Sequence, residues 1–251
     1  MHQTQVASSL ESIREKLLPS FISFKTVPSR LPSGGWGNVG PASSQEGMRD
    51  RVLLTHRAKL VGILFAQPGD ALVKEQVLPN LPYFHERTAD NVDLFFAGYS
   101  TDSSGDADAV KVGTIDRVKW FYSAQALSRI RAEVESSVKW RYSGGCDLLL
   151  TNARLDEDEK KVRLDFATSV ICPLPEMLRI KAITSIPEFL EEIFRYAEKQ
   201  DRNDPTWGLS DTPGFDKSGS ILKAVVLSLL PDGVGKEAEK LVHLAAPDIS
   251  R

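Results

Sequence analysis

Apolar runs and helical stripes alternate through the middle of the chain. Residues 59–66, KLVGILFA, are apolar on both faces, which is typical of a central strand, and residues 91–100, NVDLFFAGYS, predict a second buried strand. Between them, apolar positions at helical spacing follow Asp70, a suitable helix cap, and Pro79 predicts a kink in that helix. Two strands joined through a helix are expected to run parallel.

The next part of the chain predicts a helix, a hairpin and another helix. A single apolar stripe indicates a helix over residues 124–138. Residues 146–171 hold two apolar runs around the charged turn DEDEKK, which is typical of an antiparallel hairpin. Residues 185–200 predict an amphipathic helix with Ser185 as its cap. The order of these elements predicts an α/β fold, a mixed sheet with helices on both faces.

The N-terminal part of the chain predicts one helix and a long loop. Apolar residues at helical spacing indicate a helix over residues 7–18, with Ser8 or Ser9 as its cap and Pro19 as its end. Residues 26–47 are dense in glycine, proline and serine, which predicts a loop or an arm. Loops of this length are uncommon without a role.

The remaining segments complete the expected organisation. Residues 101–116 are polar and acidic, which predicts a surface excursion. Residues 201–220 predict a second irregular linker, followed by helices over residues 219–230 and 235–246. We expect an N-terminal helix and Gly/Pro/Ser-rich arm over residues 1–56, an α/β core over residues 57–200, and a linker with C-terminal helices over residues 201–251.

The composition is that of an ordinary globular protein. Of the 251 residues, 41% are hydrophobic and 26% are charged, and the formal net charge is -3. A chain of this length can bury a full core without metals or disulfides. The charge balance indicates neither a nucleic-acid nor a membrane partner. The N-terminus lacks the apolar core of a signal peptide, and no apolar run approaches the length of a membrane span.

The chemistry-bearing residue types show few recognisable motifs. Cys146 and Cys172 belong to no CxxC or Cys/His cluster, which fits buried thiols in a reducing compartment. The histidine spacing gives no zinc motif, and the GxSxG, HExxH and GxGxxG motifs are missing. We therefore expect a cytoplasmic protein that carries no metal and no cofactor.

Two stretches of the chain resemble thioredoxin-like proteins. GILFAQPGDALVKEQVLPNL (62–81) resembles their first strand and kinked helix, with Pro79 near the helix proline, although the spacing from Ala66 to Pro79 is about two residues longer. GGCDLLLTNARLDEDEKKVRLDF (144–166) resembles their closing hairpin. The resemblance covers about residues 57–200. It implies a three-layer thioredoxin-like core, here with extra N-terminal and C-terminal helices.

The junction between the first strand and its helix departs from the thioredoxin pattern. The family carries a redox CxxC there, whereas this chain has Gln67, Pro68, Gly69 and Asp70 and no cysteine. The thiolate that performs disulfide exchange is therefore missing, and the resemblance implies the fold without the activity. The helix start after Gly69 has free N–H groups that can bind an anion or a substrate carboxylate. Alternatively, Asp70 fills this position as the helix's own cap.

A short internal repeat brings aromatic and basic residues together. VKWFYS (118–123) and VKWRYS (138–143) bracket the helix at 124–138 and contribute Trp120, Tyr122, Trp140 and Tyr142. Three interpretations are open. The tryptophans can pack the two ends of the helix onto the sheet, the residues can form a protein interface, or they can stack bases and neutralise phosphates of a nucleic acid.

Two further residues are candidates for catalysis. Asp147, at the start of a strand and followed by DEDEKK, resembles the metal-binding PD-(D/E)xK nucleases, in which carboxylates hold Mg²⁺. Cys146 follows two glycines that leave room for a backbone to approach, so a single-thiol enzyme is a further alternative. A solvated turn and a buried thiol are the simpler interpretations.

The function expected from these features is non-enzymatic. We expect an interaction subunit of a larger assembly, which docks onto a protein partner through its terminal helices and the segments around Trp36 and Trp207. The alternatives are a metal-dependent nuclease-like enzyme around Asp147 and a single-cysteine enzyme that uses Cys146.

Overall fold

The computed structural model describes residues 6–28, 48–54, 58–87, 92–101, 106–115, 117–156, 161–201, 223–230 and 235–244. Trp36, Trp207 and the tip of the DEDEKK turn lie outside these residues.

The described chain alternates strands and helices. The strands are β1 (Val6–Ala7), β2 (Ile22–Pro28), β3 (Met48–Leu54), β4 (Ala58–Ala66), β5 (Val92–Ala97), β6 (Tyr99–Ser100), β7 (Val110–Ile115), β8 (Val118–Tyr122), β9 (Cys146–Asp156), β10 (Lys161–Pro173) and β11 (His243–Leu244). The helices are α1 (Leu10–Phe21), α2 (Leu81–Arg87), α3 (Ala124–Ser137), α4 (Leu174–Arg179), α5 (Ile186–Asp201), α6 (residues 223–228) and α7 (Gly235–Leu241).

The central sheet is mixed and has six strands in the order β1-β5-β4-β9-β10-β11. β4 and β5 are parallel, with Gly62 opposite Leu94, and β1 adds to the outer side of β5 in the same direction. β9 runs antiparallel to both β4 and β10. The predicted parallel pair, the predicted hairpin and the α/β class with a mixed sheet are therefore confirmed.

Two smaller sheets include segments that the sequence predicts to be loops. β2 pairs with β3, so the loop predicted from residue 26 is wrong for residues 26–28. Pro28 stands at the strand end, where a missing N–H disturbs the ladder least. β8 pairs with β6 and β7, so the excursion predicted over residues 101–116 is wrong for residues 110–115. This strand gives a weak sequence signal because it is exposed, with Val110 at 63%.

The helix starts agree with the predicted caps. The side-chain oxygens of Ser9, Asp70 and Ser185 each accept a hydrogen bond from a backbone N–H two or three residues further on. The irregularity predicted at Pro79 is confirmed, and it begins earlier. Residues Val73–Val77 form a π turn and Leu78–Asn80 a 3-10 turn before α2 starts.

The end predicted for the first helix is wrong, because α1 continues through Pro19 to Phe21. A proline removes one backbone hydrogen bond and crowds the carbonyl four residues before it. Here only the last turn is affected, and Pro19 itself is exposed. Leu17 and Phe21 are fully buried on either side of it, so their packing holds the last turn in place.

The C-terminal segment also differs from its prediction. α6 and α7 fall within the two predicted helices, but α7 ends at Leu241. His243 and Leu244 then pair with Ile171 and Val170 of β10, because the outer edge of that strand offers unpaired backbone groups. None of the helices in the described part of the chain has the length and apolarity needed to cross a bilayer.

Specific polar contacts join the helices in pairs. The backbone N–H of Leu10 in α1 donates to Glu133 Oε2 of α3 at 3.3 Å. Arg87 of α2 pairs with Glu191 of α5 at 2.9 Å, and the backbone N–H at the start of α5 donates to Gln76 Oε1 at 2.8 Å. These contacts link α1 to α3, and the helical segment after β4 to α5.

One ion pair lies inside the core. Lys59 of β4 and Asp93 of β5 have side chains that are only 5% and 7% exposed, and Lys59 Nζ lies 2.6 Å from Asp93 Oδ2. Each charge loses most of its hydration on folding, and the partner charge offsets part of that loss. The pair therefore links the two parallel strands near their N-terminal ends.

Candidate functional site

The candidate site lies where the parallel strands β4 and β5 end, the edge at which open α/β sheets commonly bind ligands. β4 ends at Ala66 and is followed by the turn Gln67–Asp70. Tyr99, just beyond β5, donates its hydroxyl hydrogen to the Ala66 carbonyl oxygen at 3.0 Å. The Tyr142 phenol, from the loop before β9, hydrogen-bonds to Gln67. We call the turn Gln67–Asp70, together with Tyr99 and the loop before β9, the β4 corner.

Aromatic rings pack against one another at the β4 corner. The Phe65 ring centroid lies 4.9 Å from that of Trp140 and 5.9 Å from that of Tyr142. A second group joins Tyr99 to Tyr122 at 5.3 Å and to Trp120 at 6.4 Å. The structure thus brings most of the sequence-predicted aromatic residues to one edge of the sheet.

The two tryptophans are inside the protein. Trp120 is 1% exposed and Trp140 is 5% exposed, and Tyr122 is also buried. Buried indoles leave no ring face on which a base can stack. The Trp120 ring centroid lies 5.9 Å from that of Phe96, and the Trp140 ring centroid lies 4.9 Å from that of Phe65. These contacts favour the interpretation in which the two tryptophans pack the ends of the helix onto the sheet. Tyr142 and Gln67 retain surface exposure.

The turn after β4 is closed by its own aspartate. Asp70 Oδ1 accepts hydrogen bonds from the backbone N–H groups of Leu72 at 2.7 Å and Val73 at 3.3 Å. The Asp70 N–H donates to the Gln67 carbonyl at 3.1 Å. The helix N–H groups that an external anion needs are thus engaged by a carboxylate of the chain. Of the two alternatives for the helix start beside Gly69, this geometry favours the self-capped one.

Both cysteines are buried and carry free thiols. Cys146 lies beside Ala66 in the β4–β9 ladder, next to the β4 corner, and Cys172 lies beside Leu148. Burial raises the pKa of both thiols, and the nearby Asp147 carboxylate raises it further. Each sulfur is therefore protonated at neutral pH, whereas nucleophilic attack needs the thiolate.

Asp147 organises the loop that leads into β9. Its Oδ2 accepts from the Ser143 N–H at 2.9 Å and its Oδ1 accepts from the Ser143 hydroxyl at 2.7 Å. Gly144, with φ of +90°, lets the chain turn back on itself between them. Asp147 is 1% exposed. The carboxylate therefore serves the loop as a buried acceptor.

Among the described residues, no set of carboxylates converges around Asp147 as a nuclease-like site requires. Asp147 is near the start of β9 and Asp156 is at its end, about 30 Å away for an extended strand of that length. In the described part of the chain, no three His, Cys, Asp or Glu side chains are close enough together to hold a metal ion. Metal-assisted hydrolysis requires such convergence at one place.

The phenols around the β4 corner are neutral, and those of Tyr99 and Tyr142 donate hydrogen bonds. Burial raises the pKa of Tyr99, Tyr122 and Tyr142. The Tyr142 hydroxyl donates to the Gly145 carbonyl, so it closes the same loop that Asp147 organises. Tyr99 is not a sequence-predicted site residue because it lies within a predicted buried strand, and Ser143 is not one because only the folded loop brings it to Asp147.

Comparison of the chain with protein-family models, with curated proteins and with solved structures gives no significant match.

Proposed function

We propose that this chain is a non-redox protein with a thioredoxin-like core that acts as an interaction subunit of a larger assembly. The fold assignment is supported by the strand order, with parallel β1, β5 and β4 followed by antiparallel β9 and β10. It is also supported by the two helix pairs, α1 with α3 and the segment after β4 with α5. In this proposal the sheet is the middle of three layers, with helices on both of its faces.

The main support for the proposal is that polar groups of the β4 corner are hydrogen-bonded within the chain. Thioredoxins expose a reactive thiolate at this junction, and here Asp70 caps its own helix instead. Cys146, the nearest sulfur, is buried and protonated. Tyr99, Tyr142 and Asp147 hydrogen-bond to neighbouring parts of the same chain. Such an arrangement satisfies these polar groups within the chain itself, as expected of a structural scaffold.

Support for an interaction role comes from the surface and from composition. Val110 and Val118 are 63% and 40% exposed on neighbouring strands. They lie at the two ends of the β7–β8 ladder, on an outer strand pair that a partner could contact. The segments around Trp36 and Trp207 combine a large aromatic residue with glycine and proline, a composition that suits contact with a partner.

The proposal is tested by isolating the full-length chain with an affinity tag from its native host. We expect a partner at fixed stoichiometry by mass spectrometry and light scattering. We also expect no disulfide reduction in an insulin assay and no Mg²⁺-dependent cleavage of DNA or RNA.

The enzymatic alternatives have matched controls. Thiol-dependent turnover that is lost in Cys146→Ser but kept in Cys172→Ser would establish a cysteine enzyme instead. Nuclease activity that is lost in Asp147→Asn but kept in Asp156→Asn would establish the nuclease. A chain that is isolated alone and shows neither activity would contradict the interaction role.

A further inference from the structure

The β7–β8 ribbon, residues 110–122, carries exposed large apolar side chains at both of its ends. Among the described residues, the large apolar side chains that are exposed are Tyr83, Val110 and Val118, and two of these three lie on the ribbon. Val110 pairs with Tyr122 at one end, and Val118 pairs with Ile115 at the other. Their exposure therefore spans the whole length of the ribbon.

The ribbon has one apolar side and one charged side. Trp120 and Tyr122 are buried, and the residues in register with them share their side of the ladder. The opposite side carries Lys111 and Lys119, both exposed. Arg117 at the tip is exposed as well, so the charged side chains of the described ribbon residues are all basic.

β7 is the outer strand of its sheet. β8 lies between β6 and β7, and no described strand pairs with the other side of β7. The strand is rich in β-branched residues, and a Cβ at Gly113 would meet no atom within 4 Å, so the face of the strand is open at that position. An open edge with unpaired backbone groups is a template for a further strand.

We propose that β7 accepts an extended acidic segment of a partner protein as an additional strand. Backbone hydrogen bonds to the edge supply affinity, and acidic side chains of the segment lie over Lys111 and Lys119. The exposed Val110 gains apolar cover. This inference rests on the proposed interaction role and specifies the surface and the class of partner.

The charges favour an acidic segment over a second copy of the chain. Two copies joined through β7 would bring two sets of ribbon lysines onto one small sheet, and like charges on neighbouring strands are destabilising. A nucleic acid would satisfy the lysines, but it would leave the open backbone edge and the exposed Val110 without a partner. The strand-addition mode uses all three features.

The test measures binding of labelled synthetic peptides to the full-length chain by fluorescence anisotropy. The probe is a twelve-residue peptide of alternating Glu and Val, and the controls are the same peptide with Lys for Glu and a single-stranded oligothymidine. Because the two lysines face the probe, Lys111→Glu with Lys119→Glu is expected to weaken binding about tenfold. The charge-matched Lys74→Glu with Lys236→Glu changes two exposed lysines elsewhere and is expected to leave affinity unchanged.

Hydrogen exchange with mass spectrometry locates the contact. We expect the acidic peptide to slow amide exchange within residues 110–115, and an unchanged melting temperature to show that the lysine variants remain folded. Equal binding of the lysine peptide, lysine-dependent binding of oligothymidine, protection outside β7, or concentration-dependent dimerisation that protects β7 would each overturn the proposal.

The outcome separates this inference from the proposed function. If the native partner is retained by the Lys111→Glu, Lys119→Glu variant, the β7 surface is wrong while the interaction role stands. If the unmodified chain has no partner, the interaction role itself fails.

Discussion

The ion pair between Lys59 and Asp93 gives a direct test of the core. Lys59→Met removes the cation and leaves a carboxylate that is only 7% exposed. Loss of one partner of a buried pair costs about 3–5 kcal/mol, because the remaining buried charge loses the opposite charge that offset its desolvation. In a chain of this size that corresponds to a fall in melting temperature of roughly 6–20 °C.

A double-mutant cycle isolates the pairwise energy. Asp93→Leu alone should be destabilising by a similar amount, because it leaves the ammonium buried. The double variant Lys59→Met, Asp93→Leu removes both charges and should lie within about 2 kcal/mol of the unmodified chain. The assay is urea unfolding followed by tryptophan fluorescence, which reports on Trp120 and Trp140 because both are buried.

An exposed pair provides the control. Arg14 lies 3.0 Å from Glu11, with side chains 38% and 66% exposed. Arg14→Met is expected to cost less than about 1 kcal/mol, the usual value for solvent-exposed pairs. If Lys59→Met costs no more than Arg14→Met, or if the two core substitutions are simply additive, the reasoning about burial and pairing is refuted.

Four further predictions concern the β4 corner and its surroundings. Native chain should show no reaction with a thiol reagent at pH 7.5, and both Cys146 and Cys172 should react after denaturation. Because their folded pKa is raised, stability should fall as pH rises above about 8.5, where the unfolded thiols lose protons. Asp70→Ala should cost about 1 kcal/mol through loss of the cap, measured by urea unfolding, and Asp70→Asn should cost less. Gly98→Ala should cost about 1–3 kcal/mol, because φ is +83° and the new Cβ would lie 2.8 Å from a Cβ of α3; Gly69→Ala, in open space, should cost little and serves as the control.

The long, periodic elements could be predicted from sequence because each depends on a local pattern. The β4 and β5 strands, the β9–β10 hairpin, α3 and α5 all bury a continuous apolar run or stripe. β1 could not be predicted, since two residues carry no periodicity and the strand exists only through its pairing with β5. β7 could not be predicted either, because its side chains are largely exposed and strand prediction relies on a run of buried apolar residues.

The candidate site was predictable only in part. The Asp70 cap depends on residues two and three positions away, so the sequence indicates it. The contact of Tyr99 with Ala66 and the pairing of Lys59 with Asp93 join residues more than thirty positions apart. Such contacts depend on the strand register, which follows from the packing of the whole sheet. Sequence patterns therefore located the β4 corner but not the hydrogen bonds that close it.

The pairing of Val6 with Phe96 has a consequence for how the chain matures on the ribosome. The strand β1 cannot pair with β5 until roughly ninety further residues have been synthesised, which takes about 5–20 s at usual translation rates. Because α1 contacts β9 and β10, its apolar side, including Ile13 and Leu17, has no complete sheet to cover it until those later strands have also been made. Nascent chains stalled before residue 146 should therefore bind chaperones and resist proteases poorly, and chains that extend beyond residue 173 should lose both traits.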